Sequence, residues 1–338
     1  MKEQDSTCLV SICCLAYNHE AYIRTTLEGF VSQRVNFSFE IIVHDDCSSD
    51  ETVGIINEFE SNYPHLFTVI RQVENQYSRG VKPIFKYVFP AARGKYIALC
   101  EGDDYWTDPT KLQKQVDFLE ANPDHVLCFH PVSIWMDNGE LKDDFITNPP
   151  STELDIATIA KHGNFIHTPS ILFRNFTEEF PTELQLAPVG DFCLQMFLAE
   201  RGKFKMLPDN MVVYRFGVGE WSSKESHTRL LRTAKTHLII GSYFETKSNQ
   251  PVASIFFDRV VRFLTLHAAA ISKDDLAFLI KDCHYVPQLL SQVVGQMDKS
   301  NTRIESLKND QMHKATTVAL SRVILHRIKN KLLGRNIK

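Results

Sequence analysis

Tyr96-Ile97-Ala98-Leu99-Cys100 is a short apolar run, and Glu101-Gly102-Asp103-Asp104-Tyr105-Trp106 follows it directly. A run of this length bounded by a turn signal reads as a buried strand, so two adjacent carboxylates emerge where that strand ends. A second run, Ile41-Ile42-Val43, leads in the same way into Asp45-Asp46-Cys47-Ser48-Ser49-Asp50-Glu51-Thr52. In an open α/β sheet, ligands collect outside the carboxyl ends of the strands. Carboxylates there can hold a hard divalent cation that shares its shell between protein oxygens and a substrate's phosphates. Such a cation offsets charge growing on a departing diphosphate. Taken singly, either pair reads equally well as a solvated turn, because Asp is common in turns and at helix N-caps. Two pairs, each closing an apolar strand, point to a nucleotide-using enzyme.

Outward from these runs, short β-rich segments alternate with helical periodicity from residue 8 to about 130, the pattern of parallel βαβ units. Residues 9–15, 39–43 and 67–70 read as the first three strands. Asn18 is placed to cap a helix with Ile23, Leu27 and Phe30 on one face. Ser48 with Glu51 forms a capping-box pattern ahead of Val53, Ile56 and Phe59. The spacing predicts further helices over 82–92 and from Asp108-Pro109 onward, the latter burying Leu112, Val116 and Leu119. Residues 126–136 read as one strand entering a hairpin turn at Asp137-Asn138-Gly139. A loop over 143–154, an apolar run over 165–173, a helix over 189–201 stopped by Gly202, and a last strand over 211–216 follow. After about Ser226 only helical patterns remain. The expected fold class is therefore α/β, with a catalytic domain over residues 1–225 and a helical C-terminal region over 226–338.

With 338 residues, 43% of them hydrophobic, the chain can bury a full core and exceeds one typical domain. A net charge of −4 gives no global basic field, which argues against nucleic acid as a partner. The eight cysteines form no CxxC pair and lie mostly inside apolar runs, so they read as reduced core residues. The first seven residues are polar, and no run reaches the roughly 18 apolar residues of a bilayer span. The expected location is the cytoplasm. After Asp310 acidic residues cease, while Lys314, Arg322, Arg327, Lys329, Lys331, Arg335 and Lys338 accumulate. Leu320, Val323, Ile324, Ile328 and Leu332 fall on one helical face of that segment. A basic amphipathic helix over 314–338 suits peripheral contact with the anionic inner leaflet of the membrane. It suits equally packing on the catalytic domain or on a second subunit of a homo-oligomer.

Val10-Ser11-Ile12, Ala16-Tyr17-Asn18, the stretch 45–52 and Glu101-Gly102-Asp103-Asp104-Tyr105-Trp106, in that order, resemble the serial motifs of family 2 glycosyltransferases with the GT-A fold. That fold is a Rossmann-like mixed sheet flanked by helices. Residues 112–123 are similar to members that build bacterial O-antigens and capsules. The resemblance covers residues 8–222 and implies an inverting, metal-dependent transfer from a nucleotide-diphosphate sugar, UDP first, to a glycan or polyprenyl-linked acceptor. It implies that Ala16, Tyr17 and Asn18 border the nucleotide base and that Asp46, with Asp45, hydrogen-bonds base or ribose. Asp104 would be the direct ligand of a divalent cation, Mn²⁺ or Mg²⁺, with Asp103 near the ribose or the metal. A catalytic base is expected where Gly190-Asp191 open a later helix; the residues alone read Asp191 as an N-terminal helix residue favoured by the macrodipole.

Arg79, Lys82, Trp106, His167, Arg215 and Trp221 are the candidates for phosphate or acceptor contacts, and Arg79 and Lys82 read equally well as solvent-facing. One departure stands out. Related sequences carry a His after the Tyr-Arg pair of the last strand, whereas Tyr214-Arg215 here leads into Phe216-Gly217-Val218-Gly219; His167 or His227 would have to compensate. A nucleotidyltransferase would need a basic, Gly-rich loop after the first strand, and Ala16-Tyr17-Asn18-His19-Glu20 has neither Gly nor Lys. A non-catalytic nucleotide-binding scaffold with a degenerate site is the remaining alternative.

Overall fold

The computed structural model describes residues 8–219, 224–267 and 270–281. The chain divides into two compact units: one runs to Pro181 and resumes over Leu194–Lys224, and the other comprises Thr182–Cys193 and the chain from Glu225 on.

The first unit opens with β1 (Val10–Ala16), α1 (Ile23–Val31), β2 (Phe39–Asp45), α2 (Thr52–Asn62) and β3 (Phe67–Arg71). A π-type turn over Ile84–Val88 runs into the short α3 (Phe89–Ala91), then β4 (Tyr96–Leu99), β5 (Tyr105–Trp106) and α4 (Lys111–Ala121). Next come β6 (His125–Phe129), β7 (Ser133–Trp135), β8 (Leu141–Asp143), β9 (Glu153–Leu154), α5 (Ile156–His162) and β10 (Leu172–Arg174). The chain then passes through α6 (Thr182–Gln185), which belongs to the second unit, and α7 (Gly190–Ala199), which the division cuts after Cys193, before the strands β11 (Lys203–Met206) and β12 (Val212–Arg215) complete the first unit. Eight strands form a mixed sheet in the order β3-β2-β1-β4-β10-β6-β11-β9. Within it β10 runs antiparallel to β4 and β6, and β9 antiparallel to β11. A smaller sheet has the order β5-β12-β7-β8.

The apolar runs are continuous because the central strands are covered on both faces. Ile12, Cys14 and Ala16 of β1 pack in one cluster with Ile23, Leu27 and Phe30 of α1 and with Leu112, Val116 and Leu119 of α4. Gly94 permits the close start of β4 against β1, since a Cβ there would lie 2.4 Å from the Ser11 nitrogen. Beside it the buried Glu40 carboxylate accepts hydrogen bonds from the Ser11 hydroxyl (2.7 Å) and from the Arg93 backbone (2.8 Å) and guanidinium (2.7 Å). Burial alone would raise the Glu40 pKa, but the bonds from Arg93 and Ser11 outweigh it and hold the carboxyl below its usual value.

The local structure departs from the sequence reading at several ends. Asn18 does not cap α1: it sits at φ 54°, its side-chain oxygen accepts from the Ser49 backbone at 2.8 Å, and the helix begins at Ile23. Ser48 and Glu51 form no capping box, because the Ser48 hydroxyl accepts from the Asn18 backbone at 2.9 Å. Asp108 bonds to Thr110, and α4 starts at Lys111. The stretch read as one strand over 126–136 breaks at His130-Pro131-Val132 into β6 and β7, which belong to different sheets; Pro131 has no N–H to give a ladder. The hairpin at 137–139 is present, joining β7 to β8 with Gly139 at φ 84°.

In the second unit α8 (Ser226–Thr246), α9 (Gln250–Leu266) and α10 (Lys273–Ile280) follow in sequence. Asn249 caps α9, with Pro251 in its first turn, and Ser272 with Asp275 forms a capping box on α10. The Phe257 ring occupies the space a side chain at Gly241 would need, 2.7 Å from its Cβ position, so α8 and α9 approach closely there. The basic segment 314–338 lies outside the described residues. Among the described residues no helix is long and apolar enough to cross a membrane. The seven described cysteines are free, and burial pushes the Cys128 thiol up to about 12.

Lys111 is the outlier of the core. It is fully buried, its Nζ donates to Gln115 Oε1 at 2.7 Å and lies 4.1 Å from the centre of the Trp106 ring. Burial pushes its pKa down to about 7. The unfolded chain keeps that proton up to about pH 10.4, so the unfolded state binds more protons between the two values and stability rises with pH. From about pH 7 to about pH 8.5, before thiols ionise, this residue contributes a gain of about 1 kcal/mol per pH unit. Urea unfolding at stepped pH is expected to show that slope in the wild type and its loss in Lys111→Met.

Candidate active site

The Asp103–Asp104 turn is held from three directions. The Gly102 N–H donates to the Leu15 carbonyl at the end of β1 (2.9 Å), and the Thr26 hydroxyl of α1 lies 2.6 Å from the Asp104 carbonyl. From β12, the Arg215 backbone N–H donates to Asp104 Oδ1 at 2.8 Å, and its guanidinium donates to the Asp103 carbonyl. That guanidinium lies 4.8 Å from the Tyr22 ring centre and 4.5 Å from that of Tyr105, a cation–π sandwich. Both aspartates are buried. Burial first, then the neighbouring Asp103 and Glu101 carboxylates, push the Asp104 carboxyl well above the usual range.

An all-oxygen donor set under mutual repulsion fits a hard divalent cation, which would offset it. Among the described residues no group of three or more His, Cys, Asp or Glu stands close enough to enclose a metal. The aspartate pair therefore suits an ion whose shell is shared with a ligand's phosphates. The departure after Tyr214-Arg215 has a structural counterpart. A Cβ at Gly219 would lie 2.9 Å from Asp103 Oδ2, so the chain leaving β12 passes against that carboxylate, and a larger residue there would require the Asp103 side chain to shift.

The loops after β1 and β2 are laced together. Besides the Asn18–Ser48 and Asn18–Ser49 bonds, the His19 N–H donates to the Thr52 hydroxyl (2.7 Å), Glu20 N–H to Asp50 (3.1 Å) and Glu51 N–H to Glu20 (2.9 Å). Ala16 is buried at the end of β1, whereas Tyr17 is 45% exposed beside it. Buried Asp45 accepts the Ser48 N–H with Oδ2 at 3.2 Å, while its Oδ1 is buried without a hydrogen-bond partner. Asp46 accepts the backbone N–H of Gln76 (2.8 Å) and of Tyr77 (2.9 Å), one on each oxygen, and so shapes the turn at 75–80.

The remaining candidates are scattered. Arg79 pairs with Glu74 at the surface, and Lys82 lies over the Tyr77 ring at 5.4 Å. Trp106 is a core residue rather than a ligand contact: it is buried, edge-on to Phe30 at 4.8 Å and capped by Lys111. His167 is buried 3.3 Å from Asp144 and against the Tyr214 ring, which anchors the loop after β8. Trp221 lies outside the described residues. His227 belongs to the second unit, where it pairs with Asp275 at 3.4 Å. Sequence reasoning missed Thr26, which holds the turn from α1, and Tyr22, which flanks Arg215, since residues on another element leave no local spacing to read; Tyr105 stood in the quoted motif, but its contact with Arg215 crosses to another strand.

Asp191 lies in the second unit, in the first turn of α7, half-buried, with Oδ1 accepting the Phe192 N–H at 2.8 Å. Its segment is fixed there by the Val189 N–H on the Thr236 hydroxyl (3.1 Å) and by Phe192 against His237 and Phe256.

Residues 11–180, half of the chain, match the model described as "Glycosyl transferase family 2". Uncharacterized protein Rv1520 of Mycobacterium tuberculosis is 40% identical over 230 residues, which are 68% of this chain and 65% of that protein. The chain thus spans just under two thirds of this mycobacterial relative. WfaP of Escherichia coli, named a UDP-Glc:alpha-D-GlcNAc-diphosphoundecaprenol beta-1,3-glucosyltransferase, is 31% identical over 251 residues, 74% of this chain and 92% of its own. Among solved structures, S. aureus TarS 1-349 superposes with a TM-score of 0.58 at 17% identity over 98% of this chain and 93% of its own. A likeness at that identity carries the GT-A fold alone; the match over 11–180 and the Escherichia coli relative carry the rest, and the chain belongs to glycosyl transferase family 2.

Proposed function

We propose that this protein moves a sugar from a nucleotide-diphosphate sugar, a UDP-sugar first, to a hydroxyl of a growing lipid-linked bacterial surface glycan, with inversion at the transferred carbon. The observation that carries this reading is the buried Asp103–Asp104 pair, gripped by Arg215 at the end of β4 beside the laced loops of β1 and β2. The name of WfaP, with a UDP-sugar donor and a diphosphoundecaprenol-linked acceptor, supports the choice of both reactants. Such a reaction belongs on the cytoplasmic face of the membrane, and the basic segment 314–338 is the proposed peripheral contact with it.

In this reading the exposed Tyr17 ring lies along the base, and the unpartnered Asp45 Oδ1 accepts from base or ribose, beside Asp46 and Asn18. Asp104, with Asp103, holds a divalent cation, Mn²⁺ or Mg²⁺, whose charge when bound neutralises the diphosphate. Asp191 takes the proton of the acceptor hydroxyl as its oxygen bonds to the anomeric carbon and the bond from that carbon to the diphosphate breaks on the opposite face. The role of Asp191 comes from the family resemblance. An α-helical N-terminus keeps such a carboxylate ionised and available, at some cost in basicity.

Purified protein given a panel of UDP-, GDP- and dTDP-sugars is expected to release nucleotide from one donor with Mn²⁺ or Mg²⁺, to stop with EDTA, and to resume when the cation is restored. No release from any donor, with membrane extract supplying acceptors, would overturn the reading and favour a nucleotide-binding scaffold. Asp191→Asn is expected to lower transfer by about 10²- to 10⁴-fold, with donor affinity by calorimetry nearly unchanged. Transfer at the wild-type rate would remove Asp191 from the mechanism.

A further inference from the structure

The small sheet turns one face into the core, and its other face is open over the outer strands β7 and β8. Side chains paired across adjacent strands share a face, and residues two apart along a strand share it too. Trp106, Ile134 and Val212 belong to the hydrophobic core, which fixes their face as the inner one. On the other face, Arg215 of β12 is in register with Trp135 of β7, and Trp135 is in register with Leu141 of β8. Tyr105 of β5, in register with Val213 and so on the neighbouring rung of that face, stacks on the Arg215 guanidinium. A row Arg215, Trp135, Leu141 thus runs from the residue whose backbone N–H meets Asp104 to the outer edge of the sheet, at about 5 Å per strand. Its outer half is bare: Trp135 is 39% and Leu141 54% exposed.

The adjacent rung on that face runs Tyr105, Val213, Ser133, Asp143 and is polar in its outer half. Ser133 is in register with Asp143, and the Ser133 hydroxyl is held by the Asn210 amide at 2.9 Å. An indole and an aliphatic side chain beside a hydroxyl and a carboxylate complement a pyranose, which has an apolar face of C–H groups and a rim of hydroxyls. A lipid chain would ask for a continuous apolar strip, which the Ser133–Asp143 rung interrupts. The nucleotide candidates Ala16, Tyr17, Asn18, Asp45 and Asp46 all stand at the ends of β1 and β2, and none on the small sheet. Its outer half, over β7 and β8, carries none of the residues assigned to the nucleotide, the cation or the phosphates, which suits it to the other reactant.

We infer that the open face of the small sheet binds a sugar ring of the acceptor glycan, stacked on Trp135 and flanked by Leu141, a reading that rests on the acceptor half of the proposed function. Saturation-transfer NMR with methyl glycosides of glucose, galactose, mannose and N-acetylglucosamine tests it without turnover. The wild type is expected to transfer saturation to the ring C–H protons of at least one glycoside. Trp135→Ala is expected to reduce it by about fivefold or more, and Trp135→Phe to retain most of it. Leu141→Ser, at an exposed edge position, reads the same surface should Trp135→Ala fail to fold, and is expected to weaken the signal in the same direction. Equal transfer in wild type and Trp135→Ala, or none from the wild type to any of these glycosides, would overturn the inference. Donor consumption is measured separately, so a protein that consumes a donor can still fail here, and one that consumes none can still bind sugar on this face.

Discussion

Two aspartates side by side in a buried turn repel each other, and everything around them answers that repulsion. The nearest compensation is not another element of the same strand but Arg215, 111 residues further along the chain, whose N–H meets Asp104 directly. A charge-assisted hydrogen bond of this kind is stronger than a neutral one, and it requires β12 to be in place. β12 in turn is positioned by β5, the two residues that immediately follow the pair, and by β7. The turn, its clamp and the second sheet are therefore linked through direct contacts, which tie so short a set of strands to the aspartate pair.

The parallel strands β1 to β4 of the main sheet were legible because they announce themselves twice, by apolar runs such as Ile41-Ile42-Val43 and by the turn residues that end them, whereas β9 lay inside a stretch read as loop and β11 gave no such run. The small sheet was not: β5 has two residues and β7 and β8 three each, too short to display a period of two. Helix starts were misplaced where a capping residue found a distant partner. Asn18 and Ser48 have the chemistry of caps, yet across about 30 residues the Asn18 side chain accepts from the Ser49 backbone and the Ser48 hydroxyl from the Asn18 backbone, a choice that local pattern cannot reveal.

At the site, residue type gave the carboxylates, and order along the chain gave the family resemblance. What neither gave was direction. Trp106, a candidate for phosphate or acceptor contact beside an acidic pair, turns inward onto Phe30, while its neighbour Tyr105, not among the candidates, turns outward onto Arg215. Alternation along a strand of two residues assigns one to each face but does not say which. Only the core residues on the other strands decide it.

The laced loops after β1 and β2 carry a thermodynamic consequence. Five hydrogen bonds between residues 18–20 and 48–52 order these loops in the folded chain itself. On the proposed function, a nucleotide arriving there would meet a surface whose conformational entropy has already been lost, so association would resemble rigid docking rather than coupled folding. Its heat-capacity change then reflects the dehydration of the base and its immediate neighbours, without the large negative contribution of a loop that folds as it binds.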